Sequence, residues 1–145
     1  MIRSVALFVC AMTVLSVPAS ARPAGTPMSR CVDSSRPDAM VTLAGKLTVR
    51  TFPGPLNYES IAGGDLEERA FILEIPRLIC FTDVEFADGY ERFDRVHVYA
   101  TDQDVIDALN AAIGREVLVE GRAMGAHTGH HRAPMVLRVN SVKAR

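Results

Sequence analysis

The sequence lacks the usual marks of an enzyme. It holds no nucleophile elbow, no glycine-rich phosphate loop and no HExxH helix. Ser60 beside Glu59, with a distant histidine, could be drawn as a hydrolytic set, but most small domains offer as much, so no catalytic residue is expected. There is no tryptophan, no low-complexity tract and no internal repeat, which excludes a repeat array. Charge of one sign is missing too. With a formal net charge of −1 the chain has no bulk attraction for nucleic acid or anionic lipid, and neither is expected as a partner. No apolar run reaches the ~20 residues of a bilayer-spanning helix.

The longest apolar run, Val5 to Val17, belongs instead to a leader, MIRSVALFVCAMTVLSVPASA. Arg3 precedes the run, Pro18 ends it, and Ala19-Ser20-Ala21 is a small-x-small cleavage pattern. This is the layout of a secretory signal peptide over residues 1–21, predicting cleavage after Ala21 and a periplasmic or secreted product without stable membrane insertion. An uncleaved anchor is the plainer alternative. Cys10 lies inside the run rather than just after the cleavage site, which argues against a lipoprotein.

Cysteine is scarce, three in 145 residues, and the mature chain keeps Cys31 and Cys80. In an oxidising compartment two such cysteines are expected to bridge. Closing that loop is worth roughly 4 kcal/mol by chain entropy before strain. Two separate buried thiols are the alternative. Neither cysteine has the neighbours of a reactive thiol.

Residues 22–39 read as an extended lead-in, and residues 40–145 as one domain. VTLAGKLTV puts Val41, Leu43, Leu47 and Val49 on one face of a strand, with Gly45 at a bend or bulge. A long loop follows, broken by Pro53-Gly54-Pro55 and Gly63-Gly64. AFILEI forms a second strand with Phe71, Leu73 and Ile75 on one face, ended by Pro76. DRVHVYA forms a third, with Val96, Val98 and Ala100 alternating with Arg95, His97 and Tyr99. TDQDVIDALNAAIG predicts the helix, capped by Thr101 with Asp104 as its box partner, striped by Val105, Ile106, Leu109 and Ile113, and closed by Gly114. REVLVEGRAM gives the fourth strand. PMVLRVNSV gives the fifth, with Met135, Leu137 and Val139 inward. The fold class is therefore mainly β with one helix, in the order β-β-β-α-β-β of a five-stranded OB-like barrel. Another small α+β sheet on one helix is the alternative.

FPGPLNYESIAGGD before a strand that leads to a cysteine, then GREVLVEGRAMGAHTGHHRAPMVLRV, resembles an exported bacterial family known as domain of unknown function 4431. The resemblance runs from Cys31 to about Val142, with PGPxNYES and AHTGHH as its motifs. It implies export, one domain and the cysteine pair, and supplies no activity. The family pattern tends to carry a further histidine where this chain has Arg132.

AHTGHH is the first candidate site. His127, His130 and His131 fall in a short hairpin loop between the last two strands. If the imidazoles converge they match the ligand count of a catalytic zinc site, with Zn or Cu the suitable metals. The H-x-x-H-H spacing guarantees no such geometry, so a polar hairpin end is the plainer reading and no cofactor is expected. A pH switch is open in principle, with nothing to single it out. The second candidate is the PGPLNYES loop, where Asn57, Tyr58 and Glu59 sit with Ser60 after a stiff corner. Tyr58 capping the barrel, with Asn57 and Ser60 satisfying the turn, is the plainer reading here. Glu59 is the carboxylate expected to orient an imidazole if the two loops meet. The third is the outer face of strand three, Arg95, His97 and Tyr99, beside Ile72 and Glu74 of strand two, read most simply as a solvated face. The chain is thus expected to be an exported binding or interaction module of the cell envelope, for an unknown envelope ligand or protein. The alternative is a metal-binding protein using the histidine turn.

Overall fold

The structure is a computed structural model that describes residues 31–33, 36, 39–82, 86 and 89–145. The expected leader and most of the expected lead-in lie outside the described residues. Among the described residues seven strands and one helix run in the order β1 (Val32–Asp33), β2 (Val41–Pro53), β3 (Glu67–Ile79), β4 (Phe81–Thr82), β5 (Phe93–Tyr99), α1 (Gln103–Ala111), β6 (Glu116–Gly125) and β7 (Met135–Ala144). Five of them close a barrel in the order β2-β3-β5-β7-β6, and β6 returns to β2. Within the barrel all pairs are antiparallel except β5 with β7. This is the five-stranded OB barrel, with its helix between the third and fourth barrel strands.

Glycine makes the closure feasible. β2 is long enough to pair with β6 through its first half and with β3 through its second, and Lys46 is shared by both ladders. Gly45 lies just before that changeover, where a Cβ would overlap the Glu74 carbonyl. Gly121 does the same at the register shift of β6 against β7, where a Cβ would overlap the Arg138 carbonyl. Bends of this kind need a residue without a side chain.

The inward face follows the sequence period. Leu47, Leu73, Val96, Val98, Val117, Val119, Met135 and Leu137 are fully buried in one core, joined by Leu109 from α1. The helix differs from expectation at its start and along its stripe. Asp102, not Thr101, is the N-cap, and its carboxylate accepts from the backbone N–H groups of Asp104 and Val105. Asp is the stronger cap, and with the start moved by one residue the Thr101–Asp104 box cannot form. The stripe turns as well. Leu109 and Ala112 are buried, whereas Ile113 is 41% exposed. Gly114 takes the left-handed φ of 82° expected of a closing glycine.

Pro76 does not end β3. The strand runs on to Ile79, but its pairing with β2 stops at Glu74, and its pairing with β5 is irregular between Glu74 and Ile79. Proline is tolerated there because no ladder needs its missing N–H. Just beyond, Cys80 is bridged to Cys31. The same junction pairs β1 with β4 in parallel, and Val32 N–H donates to the Cys80 carbonyl. The lead-in is thus tied to the barrel where β3 ends.

The outer face brings the main surprise. By register, Ile72 of β3, His97 of β5 and Val136 of β7 lie side by side across the outside of the barrel. Ile72 is only 1% exposed and Val136 0%, so this row is covered and not solvated.

Candidate functional site

The cover is the histidine hairpin, residues 126–134. It is closed on itself by Ala126 N–H to the Pro134 carbonyl and His131 N–H to the Thr128 carbonyl. From the start of β7 it folds across β5 and β3 toward the end of β2. The His131 ring lies 6.3 Å from His97, and the Arg132 guanidinium reaches Phe52, Tyr58 and Glu68.

There it meets the loop between β2 and β3. That loop is built around Asp65, a buried carboxylate that accepts four backbone N–H bonds, from Leu56, Asn57, Glu59 and Ser60, at 2.7–3.2 Å. These bonds, from Ser60 and Asn57 first, hold the Asp65 carboxyl down to about 2. The wrap places Tyr58 at a φ of 62°, the left-handed region that a bulky residue rarely adopts. Strain of that kind persists only where the surroundings over-determine it. Here it aims the phenol at the hairpin. Tyr58 Oη lies 2.7 Å from His130 Nε2, and the ring packs so closely on Gly129 that a Cβ there would stand 2.9 Å from it.

His130 Nδ1 donates to Glu68 Oε2 at 3.0 Å. The same carboxylate oxygen is 3.0 Å from Arg132 Nη2. That second contact pairs the charges but is off the hydrogen-bond direction, for Arg132 Nε and Nη2 are buried with no aligned partner. The Arg132 side chain is 6% exposed, His130 58%. The guanidinium carbon stands 5.3 Å from the Phe52 ring centre and 5.5 Å from that of Tyr58, within cation–π range.

The other two histidines pair with each other. Their ring centres are 4.6 Å apart, edge to face. His127 Nδ1 donates to the Gly125 carbonyl, and the His127 ring stacks on Phe86 at 4.4 Å. His131 Nδ1 accepts the His127 backbone N–H, which fixes its lone pair and favours the neutral ring. Burial, with His127 and His130 nearby, lowers the His131 pKa. Beneath it, burial chiefly, then the charges at His131 and Arg132, hold His97 down to about 4.

The two loops named from the sequence therefore meet, but not through every residue named. Tyr58 and His130 touch. His127 and His131 pair with each other. Among the described residues no group of three or more His, Cys, Asp or Glu side chains is arranged to hold a metal ion. The carboxylate that orients an imidazole is Glu68, not Glu59. Glu59 and Asn57 are exposed and enter through backbone N–H bonds to Asp65. On strand three Arg95 is exposed as expected, whereas His97 lies under the hairpin. Glu68 and Phe52 had no local signal, since they meet Arg132 only when the barrel closes. Arg132 carried one hint, its place directly after the histidines.

A five-stranded OB barrel with its first and last hairpin loops locked over the face of its second and third strands is the class that fold and site define. OB barrels use that face and those loops to bind. The resemblance read from the sequence holds here: residues 95–143, from β5 through the hairpin to β7, match the model of the family described as "Domain of unknown function (DUF4431)". No curated protein matches. Among solved structures the chain is similar to a Plasmodium falciparum SSB in complex with ssDNA. The identity is 19% and the TM-score 0.35, over 72% of this chain and 90% of that one. A match of that title corrects the expectation that excluded nucleic acid. Net charge was the wrong ground, because local placement of charge decides such contacts. At this TM-score the match assigns the chain no partner.

Proposed function

We propose that the protein is an exported binding or interaction module of the cell envelope, and that its site is the joint between the Tyr58 loop and the histidine hairpin. The observation that carries the reading is Tyr58. Its backbone is held in the left-handed region by a loop wrapped on a buried carboxylate, and its phenol is delivered to His130. Fold stability alone does not call for that strain, whereas a recognition surface does. Export is supported by the leader pattern and by the Cys31–Cys80 bridge, a cross-link that persists in oxidising compartments.

Affinity capture from an envelope extract tests the reading. The wild-type protein is expected to retain a discrete partner, and Tyr58→Ala and His127→Ala are expected to lose it while keeping a native circular-dichroism spectrum. If both variants capture as well as wild type, the site is wrong. The mass of the exported protein checks the location, which the reading puts at cleavage after Ala21.

A further inference from the structure

The most unusual resident of the site is Arg132. Its guanidinium is buried between two aromatic rings, with one carboxylate at its edge, yet its Nε and Nη2 hydrogens have no aligned acceptor. Aromatic faces and a carboxylate together select a planar, delocalised cation over a compact ammonium. A guanidinium free to choose its own angle would turn its fork onto Glu68 in a two-bond pairing. Arg132, carried on the hairpin, makes no such pairing in the closed protein. The backbone hydrogen bonds of that hairpin are internal, between Ala126 and Pro134 and between Thr128 and His131. Its ties to the Tyr58 loop and to β3 run through side chains, from His130 to Tyr58 and Glu68 and from Arg132 to Glu68. Such a hairpin can lift without breaking its own ladder.

We infer that Phe52, Tyr58 and Glu68 form a guanidinium-binding cage, which Arg132 fills in the closed protein and which takes an arginine side chain of a partner when the hairpin lifts. The inference rests on the binding-module reading and names the chemistry of its ligand. Arg132 is then a resident stand-in that keeps the cage covered until a better-aligned guanidinium competes for it.

Chemical rescue tests the cage. Arg132→Ala empties it, and millimolar ethylguanidinium is expected to raise the Tm of that variant by a few degrees, since a ligand that binds only the folded state stabilises it. Ethylurea, its neutral analogue, should give no shift, and the Arg132→Ala/Glu68→Gln double variant should give none with either. An equal shift with ethylurea, or one that survives in the double variant, overturns the cage. If Arg132→Ala is unfolded on its own, recovery of its native circular-dichroism spectrum with ethylguanidinium is the supporting readout and failure to recover is the contrary one. In wild type, a glycyl-arginyl-glycine amide is expected to move the imidazole NMR signals of His130, and its citrulline counterpart is not. Movement by free ethylguanidinium alone overturns the peptide partner. Capture that is lost in Tyr58→Ala without any guanidinium effect would sink the cage and leave the binding module standing.

Discussion

The Tyr58 hydroxyl and the Nε2 of His130 lie 2.7 Å apart, 72 residues from each other in the chain. This contact joins the first loop of the barrel to the last. Tyr58→Phe removes it and keeps the ring on Gly129. Because the pair is exposed, the expected loss is about 0.5–1.5 kcal/mol of stability, read as a lower denaturant midpoint at unchanged slope. Tyr58→Ala also removes one wall of the Arg132 site, so its loss should be clearly larger. Equal losses would mean that the ring contributes nothing.

Glu68 holds two partners on one oxygen, His130 by hydrogen bond and Arg132 by charge. Glu68→Ala leaves the Arg132 guanidinium buried without a counter-charge. The guanidinium is buried but Glu68 is partly exposed, so about 1–3 kcal/mol of destabilisation is expected. The Glu68→Ala/Arg132→Met double variant replaces the stranded charge by an apolar chain and should recover a good part of it. A double variant as unstable as the sum of the singles would show that the two residues are not coupled.

His97 gives the fold an acid limb. Its folded pKa is lowered to about 4 from the ordinary 6.5, so the unfolded chain takes up the proton first. Its contribution is fully present above about pH 6.5 and is lost as pH falls through about 4. Stability should decline across that window, helped by the lowered His131. His97→Leu, placed between Ile72 and Val136, should flatten the decline. Thermal melts from pH 7 to pH 4 on both proteins check it. Parallel curves would show that His97 is not buried as described.

Asp65 acts lower on the scale. Its carboxyl is lowered to about 2 from 3.8 by backbone N–H bonds. Its contribution is present above pH 3.8 and is lost as pH falls through about 2. Asp65→Asn has one acceptor oxygen where the loop needs two, so it should loosen residues 56–60 at neutral pH. The expected sign is faster amide hydrogen exchange at Asn57, Glu59 and Ser60, with the barrel core unchanged. Unaltered exchange would mean that the turn holds without the carboxylate.

Most of the barrel was legible because its signals are local. Alternation marks the inner face, Gly45 marks the bend, and Gly114 closes the helix. The site was half legible. The two loops stand out by composition, so Tyr58 and His130 could be named, but nothing local says which carboxylate meets the histidines. Glu59 is near in sequence and Glu68 is near in space. Ile72 misled for a related reason. An outward position in a strand reads as solvated, and only the fold reveals a hairpin lying over it. Thr101 lost the cap to Asp102 by a single residue, within the spread that competing caps allow.

The two bend glycines give the sharpest test of the barrel itself. A Cβ at Gly45 would overlap the Glu74 carbonyl, and one at Gly121 the Arg138 carbonyl. Both obstacles are backbone, in ladders that cannot shift without opening the barrel. Gly45→Ala and Gly121→Ala should each cost on the order of 1–3 kcal/mol, the range for forced overpacking. At exposed Gly89 nothing stands within 4 Å of an added Cβ, so Gly89→Ala is the matched control and should be nearly neutral. Each substitution reduces backbone freedom in the unfolded chain by the same kind of amount, so the difference between the bend sites and the control isolates the clash. If all three melt together, β2 and β6 do not bend at these glycines, and the barrel is not closed by the ladders described.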